Sequence, residues 1–67
     1  MTDSKELLHY IHQAGVSITK LAQQLYISTD TLIAKLNGEQ EFYVDEIETL
    51  CIILNIPISR RRYIFFD

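Results

Sequence analysis

Ser17-Ile18-Thr19-Lys20-Leu21-Ala22-Gln23-Gln24-Leu25-Tyr26-Ile27-Ser28-Thr29-Asp30-Thr31-Leu32-Ile33-Ala34-Lys35-Leu36-Asn37-Gly38 is the stretch whose reading decides the architecture. Ser17 is a natural N-cap, since its hydroxyl accepts a backbone N–H that the first helical turn cannot satisfy. Ile18, Leu21, Ala22 and Leu25 follow at i, i+3, i+4 and i+7, the spacing of one apolar helix face. This predicts a helix of about two turns ending near Leu25. Tyr26 and Ile27 lead directly to a second N-cap, Ser28, and to a helix over residues 28–36 with Leu32 and Leu36 inward and Asn37-Gly38 as its stop. So short a link makes the two helices cross steeply, and Ala22 is small where their backbones approach. Residues 17–38 therefore read as a helix-turn-helix.

On the N-terminal side, Asp3 caps a helix over residues 3–14, with Glu6 reaching back to complete a capping box. Its stripe is Leu7, Leu8, Ile11 and Ala14, and Gly15 stands where a left-handed cap is needed. On the C-terminal side, a loop over residues 39–42 precedes a helix over 44–54 with Ile47, Leu50, Cys51 and Leu54 on one face. Asp45, Glu46 and Glu48 read as the solvated, dipole-favoured start of that helix. Asn55 takes a left-handed cap and Pro57 blocks continuation, after which Ser59 caps one last turn holding Arg60, Arg61, Arg62 and Tyr63. Tyr63, Ile64, Phe65 and Phe66 close the core or make a dimer contact. The expected class is all-α, four to five short helices, with no repeat and no alternating strand pattern.

Sixty-seven residues allow one domain, 1–67, because so short a chain cannot bury two cores. With 48% hydrophobic and 22% charged residues the composition is that of a folded chain, and a net charge of −3 excludes a protein held on nucleic acid or membrane by bulk charge. The most apolar stretch, around residues 50–58, is interrupted by Asn55 and Pro57 and is too short to span a membrane. One cysteine, Cys51, rules out an internal disulfide, and no secretory signal opens the sequence, so a reduced cytoplasmic setting is expected. No phosphate loop or nucleophile signature is present, so neither catalytic residues nor a cofactor are expected. His9 and His12 stand at i, i+3 but lack a third ligand; they read as surface histidines and no metal is expected. Cys51 reads as a small buried hydrophobe.

The run from Gly15 to Leu25, then Ile27-Ser28, Thr31-Leu32 and Leu36-Asn37-Gly38, resembles the helix-turn-helix of phage repressor and Cro-like regulators. Glu41-Phe42, Glu46-Ile47, Leu50, Leu54-Asn55-Ile56 and Ile64-Phe65-Phe66 extend the resemblance to small regulators of phages and mobile elements in Gram-positive bacteria, over about residues 5–66. It implies a lambda-repressor-like fold and a dimeric transcriptional regulator whose recognition helix enters the major groove of a double-stranded, two-fold symmetric operator. The family's groove-facing positions fall on Ser28, Thr29, Asp30, Ile33 and Ala34, and its phosphate clamps on Ser17, Ile18 and the backbone after Asn37, including Gly38. Two positions depart from the pattern. Tyr26 stands where the family usually has glycine, so the turn is expected to relax away from positive φ. The recognition helix also lacks arginine, glutamine or asparagine at its outward positions, leaving thymine-methyl contacts from Thr29, Ile33 and Ala34, a hydroxyl from Ser28 and an acceptor from Asp30.

Within residues 17–38, Lys20 and Lys35 against Asp30 leave +1, and both lysines are candidate phosphate contacts; residues 39–58 hold five acids and no base, −5. Arg60-Arg61-Arg62 fits either phosphate or the acidic start of the preceding helix, in the same chain or in a sister subunit. A small DNA-binding regulator, weakly homodimeric, is the function expected. The alternative is an interaction module of the same fold that captures a partner repressor, favoured by the neutral, apolar character of the recognition helix.

Overall fold

A computed structural model describes residues 2–66; Met1 and Asp67 of the expected 1–67 domain lie outside them. Among the described residues there are five helices and no strand: α1 Ser4–Ala14, α2 Ile18–Gln24, α3 Thr29–Leu36, α4 Val44–Leu54 and α5 Ile58–Phe65. Local chemistry sets most boundaries. Asp3 accepts the Glu6 N–H at 3.2 Å, Ser17 the Lys20 N–H at 3.1 Å and Ser28 the Thr31 N–H at 3.0 Å. Gly15 and Asn55 adopt the left-handed caps that end α1 and α4, at φ +68° and +55°.

Each helix contributes one fully buried large side chain: Leu7, Leu21, Leu32, Leu50 and Ile64. α2 packs on α3; α1 packs on α3, α4 and α5; α4 packs on α5. Phe42, from the loop before α4, meets Phe65 edge to face with centroids 5.8 Å apart, so loop and C-terminal helix close the same core. Ala22 and Cys51 are buried as expected, Ala22 on the helix that packs against α3.

Four expectations are corrected. The buried stripe of α1 is the line Leu7 and Ile11, while Leu8 is 46% exposed and Ala14 lies in solvent. Leu8 projects about 100° round the helix from Leu7, and Ala14 sits in the last turn. The capping box at Asp3 is only half made, because Glu6 turns to Arg60: Oε2 accepts from Nε at 2.8 Å and Oε1 from Nη2 at 2.7 Å. A bidentate guanidinium is a better partner for a carboxylate than one amide, and the Asp3 N–H donates instead to the Ile64 carbonyl at 2.5 Å. Arg60 therefore serves α1, not the acidic start of α4. Last, α5 starts after Pro57 and not Ser59: the Pro57 carbonyl accepts from Arg60 and Arg61 N–H, and the helix runs two turns. Burial of Ile64 and Phe65 draws it out, leaving Tyr63 and Phe66 exposed.

The hydrogen bond from Arg60 lowers the Glu6 pKa below the ordinary carboxylate range, against a smaller opposing effect of desolvation. Such a group stabilises the fold above its unfolded pKa, and that stabilisation drains away as pH falls through the depressed folded value. Arg60→Gln should thus be less stable than the parent at neutral pH, with the difference vanishing on acidification below the carboxylate range, as read by denaturant titration at several pH values. Leu32→Ala should cost roughly 2–5 kcal/mol, a large part of what so small a domain has, and largely abolish the thermal transition; an unmoved melting curve would refute its central place in the core.

Candidate nucleic-acid interface

The turn between α2 and α3 sets how α3 is presented. Its bonds are local: the Tyr26 N–H donates to the Gln23 carbonyl and the Ile27 N–H to the Ala22 carbonyl, both at 3.1 Å. Leu25 before it is buried, and Ile27 after it packs against the core. With both neighbours drawn inward, Tyr26 is held at φ +59° and its side chain is 95% exposed. The turn does not relax: inward packing of its flanks outweighs a left-handed tyrosine's cost of about 1–2 kcal/mol.

α3 is two-sided. Leu32, Lys35 and Leu36 are buried; Asp30 and Ile33 are exposed, with Thr29 and Ala34 half-exposed. Ser28, the cap, is exposed, but its hydroxyl donates to Thr31 Oγ1 at 2.8 Å while accepting the Thr31 N–H, so what it keeps for a ligand is acceptor capacity. Ser17 keeps its hydroxyl proton free of any bond among the described residues, beside exposed Lys20. Ile18 packs its side chain against the core, leaving its first-turn N–H, which has no intrahelical acceptor.

Two expected phosphate contacts are corrected. Lys35 is 3% exposed, and its Nζ lies 2.5 Å from Glu46 Oε1 on α4, itself 7% exposed. The acidic start of α4 is thus solvated only in part, because Glu46 turns inward, where it also accepts the Tyr43 N–H at 2.9 Å. The backbone after Asn37 is committed as well. The N–H groups of Asn37, Gly38 and Glu39 donate to the carbonyls of Ile33, Lys35 and Ala34, with Gly38 at φ +81° closing the helix. Asn37 keeps only its exposed side-chain amide, and Gly38 has a turn-forming role.

With Lys35 withdrawn, the exposed charges of residues 17–38 are Lys20 and Asp30, which cancel. His9 and His12 are exposed, and no cluster of three or more metal-ligating side chains occurs among the described residues. Nor is any helix among them long and apolar enough to cross a membrane.

A capped α2, a tight turn and a capped α3 with one polar-apolar face in solvent define a helix-turn-helix DNA-binding domain. The chain belongs to the Cro/C1-type HTH DNA-binding domain family, whose model matches residues 6–59. No curated protein and no solved structure gives a match.

Tyr26→Gly removes a left-handed side chain that packs on nothing, against the extra entropy of an unfolded glycine, and should stabilise by about 1 kcal/mol. In a domain of this size that raises Tm by about 4–8 °C, measurable by calorimetry.

Proposed function

We propose that residues 1–67 act as one sequence-specific transcriptional regulator of phage repressor type in a bacterial host, inserting α3 into the major groove of an operator. The observation that carries this reading is the outward face of α3 in a chain of this family: Thr29, Asp30, Ile33 and Ala34 stand clear of the core on a helix whose other face is buried. Thr29, Ile33 and Ala34 match thymine methyls, and Asp30 accepts from a cytosine amine. Ser17, the Ile18 N–H, Lys20 and the Asn37 side chain hold phosphates. Ile52, Ile58, Tyr63 and Phe66, all more than half exposed on or just after α4 and α5, supply the contact of a weak homodimer. Its two α3 helices read half-sites about 34 Å apart.

One observation favours a second reading. Burial of Lys35 leaves the α2–α3 face with no net charge, and Ile33 is 43% exposed on it. A module that captures a partner repressor through that apolar anchor needs no cations.

Titration of DNA from upstream of the chain's own gene, repeated across salt concentrations, separates the two. As a regulator, the parent binds with a shallow salt slope, Lys20→Ala reduces that slope by about one unit for each phosphate it no longer neutralises, Asp30→Asn raises non-specific affinity, and Ile33→Asp abolishes operator binding. Phe66→Ser shifts the protein toward monomer in sedimentation and weakens binding. Flat titrations for every variant, with capture of the neighbouring regulator abolished only in Ile33→Asp, would instead establish the interaction module.

A further inference from the structure

α3 is held at its C-terminal end by polar bonds from two different helices. Ser4, the first residue of α1, donates its hydroxyl to the Leu36 carbonyl. Lys35, in the last turn of α3, reaches Glu46 in the first turn of α4. The ammonium of Lys35 also lies 4.2 Å from the Tyr43 ring centroid and 5.8 Å from that of Phe42. Its hydration shell is replaced by one carboxylate and two aromatic faces. For Lys35 to touch a phosphate it would have to abandon all three, leaving Glu46 charged and buried.

We infer that the buried Lys35–Glu46 pair, together with the Ser4–Leu36 bond, sets the angle at which α3 is presented, so that Lys35 and Glu46 are positioning residues for DNA reading. This rests on the DNA-binding reading above. Stability by itself does not call for an ion pair here, since apolar side chains of similar volume commonly serve a buried site as well or better. An apolar pair cannot supply direction. Glu46 Oε1 accepts from Lys35 Nζ at 2.5 Å and from the Tyr43 N–H at 2.9 Å, so the carboxylate is oriented by its own helix cap before it meets α3. The bonds from α1 and α4 fix the C-terminal end of α3 and the fully buried Leu32 seats its middle on the core, so together they constrain its axis, while Ser28 and Asp30 at the other end remain open to a ligand. A reading surface built on short side chains tolerates little error in that axis.

The test compares the parent, the double variant Lys35→Met with Glu46→Leu, and Ser4→Ala, by operator titration across salt, thermal melting and amide hydrogen exchange. The double variant is expected to melt close to the parent yet bind its operator roughly tenfold more weakly, the scale of one mismatched base pair, with an unchanged salt slope. Amides near the C-terminal end of α3 should exchange faster in it, relative to those of α1 and α4. Ser4→Ala, a mild change that leaves the ion pair in place, should move affinity and exchange in the same direction by a smaller factor. A salt slope lowered by the removal of Lys35 would overturn the inference in favour of a phosphate contact. Parent-like affinity and exchange in both variants would overturn it in favour of plain packing, and if the double variant fails to fold, Ser4→Ala decides by the same readings. A parent that binds no DNA removes the functional reading, and the exchange comparison then decides separately whether the pins hold α3.

Discussion

Burial of one face of the eight-residue α3 is the constraint on which the rest of this structure depends. Leu32 and Leu36 carry the apolar part of it; Lys35, between them on the same face, carries the polar part. A helix of two turns has little stability of its own in water, so its existence is a consequence of that packing. α2 is held beside it by a tight link, α1 covers its C-terminal end through Ser4, and α4 meets it through Glu46. α5 then completes the same core, its Arg60 bonded to Glu6 and its Ile64 carbonyl to the Asp3 amide, so the last helix braces the first. The outward side of α3 is what remains once these demands are met.

The electrostatic consequence is substantial for so small a chain. A lysine that formal charge counting assigns to the α2–α3 segment is spent inside the molecule, neutralising an acid from α4. The remaining acids Glu39, Glu41, Asp45 and Glu48 are on or near the start of α4 and point to solvent. The α2–α3 face is thus neutral and not weakly basic. What that face can offer a phosphate is oriented N–H groups, hydroxyls and one lysine, groups that act at short range. The methyl contacts and single carboxylate of the proposed reading face would suit such a surface, because neither needs positive charge.

Much of the architecture is readable along the chain, and the reasons are local. Ser17, Ser28 and Asp3 cap because their side chains reach an amide three residues on, which depends on nothing distant. Gly15 and Asn55 end helices because they tolerate left-handed backbone. The burial of Leu21, Leu32 and Leu50 follows from period alone. Even Lys35 carried a signal: Leu32, Lys35 and Leu36 stand at i, i+3 and i+4, so a lysine at a core phase already asked for a buried acid.

Which acid could not be read that way. Lys35 and Glu46 are 11 residues apart, Ser4 and Leu36 32, and Glu6 and Arg60 54; each polar side chain had several partners of suitable charge or bonding type along the sequence. Sequence by itself determined the first four helices, the side-chain caps at Asp3, Ser17 and Ser28, the left-handed ends at Gly15 and Asn55 and the helix-turn-helix, because those follow from short-range hydrogen bonding and from the 3.6-residue period. Only the tertiary structure decided that Lys35 turns inward, that Glu6 leaves its own helix cap for Arg60 and that Tyr26 keeps a glycine's conformation. For Tyr26 a local preference of about 1–2 kcal/mol is smaller than the gain from burying its apolar neighbours. Lys35 is held inward because withdrawing it would leave the buried Glu46 unpaired. Glu6 leaves its cap because a guanidinium offers it two hydrogen bonds where the cap offers one.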